Sequence, residues 1–193
     1  MARLILASTS RYRRELLSRL GLSFETRSPE ADESAAPGEL PSALAERLAA
    51  AKADSVCAPD LVVIGADQVA SLDGLRLRKP GTHEAALRQL LSCQGKTVIF
   101  DTAVAVIDGR NHHRWTHRDR TEVHFATLGE PELSRYLRID QPYDCAGSFK
   151  AEGLGVALFE RIASNDPTAL VGLPLIWLSR TLTAAGFDPL AAK

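Results

Sequence analysis

The chain has 193 residues, 45% hydrophobic and 24% charged, with a formal net charge of -1. That length suffices for one domain with a real core, whole or split into two lobes, and the near-neutral charge excludes a global drive toward nucleic acid or an anionic membrane. No apolar run approaches the roughly 20 residues of a membrane span, and the start MARLILAST lacks the long apolar stretch of a signal peptide, which predicts a cytoplasmic protein.

Leu4-Ile5-Leu6-Ala7 reads as a buried strand. Ser8-Thr9-Ser10 then turns the chain into a helix in which Leu16, Leu17 and Leu20 recur at helical spacing. Ser10 is the expected N-cap, because its hydroxyl can accept from a free backbone N–H. Arg11, Arg13 and Arg14 crowd this helix start, where the macrodipole is already positive and an acidic residue is preferred. Free N–H groups, hydroxyls and guanidinium groups at one helix start suit an anion, phosphate above all; a solvated basic helix face is the alternative. Residues 22–27 alternate as a strand, and residues 28–38, rich in Pro, Asp, Glu and Ser, form a loop. A helix is predicted from Pro41 to about Val56, with Ser42 as a possible cap and Lys52 near its end.

Leu61-Val62-Val63-Ile64-Gly65-Ala66 is a continuous apolar run, the pattern of a strand covered on both faces, and it delivers Asp67-Gln68 at its C-terminal part. Asp73-Gly74 is a hairpin signal within residues 69–77. Thr82 caps a helix to about Leu91, and two long strands follow over residues 97–107 and 115–127 with Asp108-Gly109 turning between them. The remaining elements are a short helix over 131–137, a glycine-containing loop over 144–155, a strand over 156–162 and a final helix over 173–185 ending at Gly186. This order of elements predicts an α/β fold with one extended sheet and helices packed around it. Cys57, Cys93 and Cys145 are odd in number and far apart, which fits free thiols rather than a disulfide framework or a zinc site.

Asp67 is the first candidate for chemistry, since a carboxylate closing an apolar strand stands at a sheet rim where clefts form; an ordinary turn cap is the plainer reading. Asp32 and Glu33 lie in a polar loop, and Glu152 in a loop bounded by glycines that would let backbone approach a ligand. Lys52, Lys79 and Lys150 taken singly read as solvated lysines. Together, acidic and basic groups in loops at strand ends are what metal-assisted phosphate chemistry needs. The stretch from His113 to Arg120, with Trp115, is basic and aromatic as some RNA-binding segments are, and reads more simply as a strand with a solvated face.

Several segments in order resemble the Maf family of nucleotide pyrophosphatases. They are Leu4 to Ser10 with Arg13-Arg14, Asp32-Glu33, Lys52, Gly65-Ala66-Asp67-Gln68-Val69, Lys79-Pro80, Cys145 to Gly153, Leu158-Phe159-Glu160-Arg161 and Val171-Gly172-Leu173-Pro174-Leu175. The resemblance covers nearly the whole chain and implies a single domain over residues 1–193. It implies an extended mixed β-sheet flanked by helices, with two lobes and a central cleft. It also implies hydrolysis of a nucleoside triphosphate to the monophosphate and diphosphate with a divalent metal (magnesium, manganese or cobalt), in a homodimer with a small nucleotide as its partner and no nucleic acid or membrane. By position, Asp67 resembles the general base, Ser8, Arg13, Lys52 and Lys79 resemble phosphate contacts, and Glu33 with Asp67 resembles the metal ligands.

Tyr12, Gln68 and Glu152 match positions that separate substrate classes in the family, and here they resemble the branch acting on 7-methyl-GTP. The branch acting on dTTP and UTP has Arg, Thr and Gln there. The assignment has a physical basis: N7-methylguanine is cationic, so an aromatic ring can stack on it with about 0.5–2 kcal/mol of cation–π attraction, and a carboxylate can accept from its N1–H and N2–H edge. Pyrimidine or other non-standard triphosphates, or a nucleotide-binding regulator of cell division and septum formation with low turnover, are the alternatives. Arg11 stands where the family often has proline, and Cys93-Gln94-Gly95 where it commonly has a Ser-Gly pair.

Overall fold

The computed structural model describes residues 2–191. Seven strands and five α-helices are found among them: β1 (Arg3–Ala7), α1 (Arg11–Ser18), β2 (Glu25–Arg27), α2 (Pro41–Asp54), β3 (Leu61–Leu72), β4 (Leu75–Leu77), α3 (His83–Cys93), β5 (Thr97–Asp108), β6 (His113–Phe125), α4 (Glu130–Asp140), β7 (Phe159–Ala163) and α5 (Leu175–Ala184). Short 3-10 turns lie at Ala146–Ser148, Leu154–Leu158 and Ala169–Val171. The strands form one open mixed sheet in the order β2-β1-β3-β5-β6-β7, with β4 on β3. β1 is parallel to β2 and β3, whereas β3–β4 and β6–β7 are antiparallel. This is the predicted α/β class.

The chain divides into two compact units. The first comprises the residues up to Gln68, Thr102–Asp119, and those from Asp166 on; the second comprises Val69–Asp101 and Arg120–Asn165. In the first unit the continuous apolar strands are explained by their period of two. Leu4 and Leu6, Val62 and Ile64, and Val104 and Val106 point to one face, where Leu16 and Leu17 of α1 and Leu178 and Leu182 of α5 cover them. Ile5 and Ala7, Leu61 and Val63, and Ala105 and Ile107 point to the other, against Ala53 of α2. A strand buried on both faces has no polar side to alternate with.

The second unit is built around aromatic side chains. Phe149 meets Phe100, Phe125 and Phe159 with ring centroids 5.3, 5.8 and 4.6 Å apart, all edge-on, the orientation favoured by ring quadrupoles. The glycine-containing loop around Cys145 is therefore largely structural. It inserts Phe149 into this cluster, turns through Gly147 and Ser148 at positive φ, and ties Ser148 Oγ to Gln89 Oε1 at 2.6 Å. Lys150 Nζ donates to the Asp140 carbonyl, which gives that lysine a structural role.

Some boundaries differ from the sequence reading. β2 pairs over only three residues, because β1 ends at Ala7 opposite Arg27. α2 has Leu40 at its N-cap with no side-chain cap and Pro41 in its first turn, so Ser42 is not the cap; proline removes one of the free N–H groups that a cap would serve. β3 runs on to Leu72 through its pairing with β4, which places Asp67 within the strand rather than at its end. Residues 156–158 lie in the 3-10 turn Leu154–Leu158 instead of strand: Gly155 lies so close to the Lys150 carbonyl that a Cβ there would sit 2.3 Å from its oxygen. α5 starts after Pro174. The stretch from His113 is strand, with its charged side chains mostly exposed. The three cysteines are free thiols, and burial pushes the Cys93 pKa up to about 11.

Candidate active site

The first unit gathers most of the predicted residues. β1 delivers Ser8, which is buried and whose Oγ accepts from the Ser10 N–H at 3.2 Å. Ser10 in turn caps α1, its Oγ accepting from the Arg13 N–H at 3.4 Å. The first turn of α1 contains no acidic residue of its own to complement the positive end of the helix. The Arg13 side chain folds back, and its Nε donates to the Gly172 carbonyl at 3.2 Å. Desolvation lowers the Arg13 pKa, and the nearby charges of Asp67 and Glu33 pull it partly back up. The guanidinium, among the most basic of side chains, remains a cation at neutral pH.

Opposite this turn, α2 lies close against β3. Gly65 makes that approach possible: a Cβ there would stand 2.3 Å from the Ala49 carbonyl oxygen and 2.8 Å from the Ala53 Cβ. With alanines on the helix and glycine on the strand, Lys52 comes down beside Asp67. Its Nζ donates to Asp67 Oδ1 at 2.7 Å and pairs with Glu33 Oε1 at 2.6 Å. Lys52 and Asp67 are each 7% exposed, while the Glu33 side chain is 60% exposed. The buried lysine thus meets a buried carboxylate on one side and a solvent-facing one on the other, which offsets the cost of placing its charge out of water.

Gln68 follows Asp67 on β3. Its Nε2 donates to Thr102 Oγ1 at 2.9 Å, the Leu170 carbonyl at 2.9 Å and the Ala169 carbonyl at 3.1 Å. Thr102 Oγ1 itself donates to the Ala169 carbonyl at 3.0 Å. Tyr12 is half-buried, with the Arg11 guanidinium 4.7 Å from its ring centroid and Arg11 Nη2 donating to its hydroxyl at 2.7 Å. The departure from proline at position 11 therefore places a cation over this ring.

Arg13, Glu33, Lys52 and Asp67 consequently belong to one electrostatic cluster, with Ser8 at the start of the turn that carries Arg13. Lys79 and Glu152 belong to the second unit, and both are exposed. Sequence reasoning missed Thr102, which sits unmarked inside the apolar β5. It singled out Val171-Gly172 only as part of the family resemblance and missed Ala169, Leu170 and the role of the turn Ala169–Val171. Asp32 takes a local role, its Oδ1 accepting from the Ser34 N–H at 2.9 Å.

The four charged groups balance: Arg13 and Lys52 against Asp67 and Glu33. A polyphosphate entering here brings more negative charge than these side chains can neutralise. Among the described residues no group of three or more His, Cys, Asp or Glu side chains surrounds a common point. Asp67 and Glu33 still supply two hard carboxylate donors, and this fits a small divalent cation that takes its other oxygens from phosphate and water.

Comparison with known proteins matches residues 3–185 to the family described as Maf-like protein. Among curated proteins, a 7-methyl-GTP pyrophosphatase of Xanthomonas axonopodis pv. citri is 58% identical over 191 residues, covering 97% of this chain and 99% of that protein. One of Burkholderia lata is 56% identical over 190 residues, covering 96% and 90%. Another, of a Polaromonas species, is 55% identical over 185 residues, covering 95% and 84%.

Proposed function

This chain belongs to the Maf family, and from that premise we propose that it is a nucleoside triphosphate pyrophosphatase that hydrolyses 7-methyl-GTP to 7-methyl-GMP and diphosphate. The observation that carries this reading is the Lys52 ammonium bridging Asp67 and Glu33, within electrostatic reach of Arg13.

Asp67 is the general base: it accepts a proton from water as the water oxygen bonds to the α-phosphorus. The bond from the α-phosphorus to its bridging oxygen breaks, and diphosphate leaves with the electron pair. Lys52 holds the Asp67 carboxylate in place through Oδ1, leaving the second carboxylate oxygen to take the proton. Arg13, pinned by Gly172, and the Ser8 turn hold phosphate oxygens, with the capped start of α1 adding backbone N–H groups. Glu33 and Asp67 are the ligands for a divalent cation, which when bound neutralises phosphate charge and polarises the reacting phosphoryl group. Tyr12 stacks on the cationic base and Gln68 contacts it. For Lys79 as a phosphate contact and Glu152 as an acceptor for the guanine edge, the family resemblance is the support. We take a homodimer in the cytoplasm as the working form.

The test is diphosphate release from a panel of 7-methyl-GTP, GTP, dTTP and UTP with magnesium, manganese or cobalt. The highest kcat/KM is expected for 7-methyl-GTP. A higher value for dTTP or UTP would assign the chain to the pyrimidine branch, and nucleotide binding without release would assign it a regulatory role.

A further inference from the structure

We propose that the turn Ala169–Gly172 is a backbone acceptor platform that positions two functional side chains at once, Gln68 through the carbonyls of residues 169 and 170 and Arg13 through that of Gly172, with Thr102 as its side-chain link. The proposal rests on the reading of Gln68 as a selector of the base and of Arg13 as a phosphate contact.

Three distances define the platform. Gln68 Nε2 lies 2.9 Å from the Leu170 oxygen and 3.1 Å from the Ala169 oxygen, and Arg13 Nε lies 3.2 Å from the Gly172 oxygen. The Thr102 hydroxyl completes it by donating to Ala169 and accepting from Gln68. That donor assignment fixes the amide orientation, because a flipped Gln68 would face two carbonyls with its own oxygen. The two amide protons are thereby committed to the protein, and Gln68 can offer a ligand only its Oε1, an acceptor.

The platform is held independently of any ligand. Buried Asp166 accepts from the Thr168 N–H at 2.9 Å through Oδ1 and from the Ile176 N–H at 2.7 Å through Oδ2, which staples the turn to the start of α5. Thr168 Oγ1 accepts from the Leu175 N–H at 2.9 Å. Gly172 has φ +130°, a conformation side chains rarely adopt, and a Cβ there would lie 3.2 Å from Arg13 Cγ and 3.3 Å from its Nε. Residue 172 therefore acts on Arg13 twice, as the acceptor of its Nε–H and as the bare surface it rests on.

Thr102→Val removes the hydroxyl at nearly constant volume. The ratio of kcat/KM for 7-methyl-GTP to that for UTP should fall about fivefold to tenfold, the worth of one misplaced hydrogen bond. Thr102→Ser should restore it, and Thr102→Val should add nothing to Gln68→Ala. A merely structural role would depress both substrates equally and leave the ratio alone. Gly172→Ala should weaken binding of inorganic triphosphate, read by calorimetry, by a similar factor. Should that variant fail to fold, Thr168→Val, which touches neither Arg13 nor Gln68, takes its place with the same expectation. The proposal is overturned if Gln68→Ala lowers the ratio while Thr102→Val does not, or if triphosphate affinity is unchanged when the turn is altered. If Gln68→Ala itself leaves the ratio unchanged, the selector reading fails and the Thr102 link falls with it.

Discussion

Lys52 Nζ reaches Asp67 Oδ1 at 2.7 Å because Gly65, two positions before Asp67 on the same strand, lets α2 lie against β3 with no side chain between them. The closeness of a helix and a strand thus sets the electrostatics of the site, and the first prediction concerns that contact.

Gly65→Ala forces a Cβ into space already held by the Ala49 carbonyl and Ala53. Overpacking of this kind costs about 1–3 kcal/mol, and the helix must shift to relieve it. Stability by urea titration should fall by that amount, and kcat should fall as well because Lys52 moves with α2. Unchanged kcat in a destabilised variant would separate the packing from the chemistry.

Lys52→Met leaves a buried carboxylate facing another carboxylate with no cation between them. Breaking a buried pair by removing one partner costs about 3 kcal/mol, and denaturant unfolding at neutral pH should show a loss of that order. A change below about 0.5 kcal/mol, typical of exposed pairs, would mean that solvent already screens the triad.

Asp67→Asn preserves shape and removes the proton acceptor. General-base loss costs about 100-fold to 10,000-fold in rate, so diphosphate release from 7-methyl-GTP should drop by that factor with KM little changed. A rate near that of the wild type would remove Asp67 from the reaction.

Arg13→Lys keeps the charge but exchanges a very basic group for one whose ordinary pKa is about 10.4. Burial lowers the pKa of a cation at this position. The substituted ammonium therefore loses its proton at a lower pH than an exposed lysine would. KM for 7-methyl-GTP should accordingly rise on an alkaline limb in the variant, while wild-type KM stays flat over the same range. Parallel profiles would show that residue 13 does not grip the phosphates.

Replacing Tyr12, Gln68 and Glu152 together by Arg, Thr and Gln should shift kcat/KM from 7-methyl-GTP toward dTTP and UTP. The lost cation–π contact alone is worth about 0.5–2 kcal/mol, about twofold to about 30-fold in affinity. A panel assay in which 7-methyl-GTP keeps its lead would place base selection elsewhere.

The elements legible in the sequence were those governed by neighbours along the chain. Apolar runs marked β1 as a buried strand and β3 as one covered on both faces, β-branched and aromatic residues marked β5, the Ser10 hydroxyl marked the start of α1, and Asp73-Gly74 marked the β3–β4 hairpin. Periodicity, caps and turns are settled by residues a few positions apart, and a linear reading reaches them. The Lys52–Asp67–Glu33 triad was legible only as a family resemblance, because its members come from a helix, a strand and a loop. What the tertiary structure alone decided is how these groups are held. Gln68 and its acceptor Ala169 are 101 positions apart, and Arg13 and Gly172 are 159 apart. No local pattern encodes a hydrogen bond over such separations; it exists only where packing of both faces of the sheet brings the turn before α5 against β3 and α1.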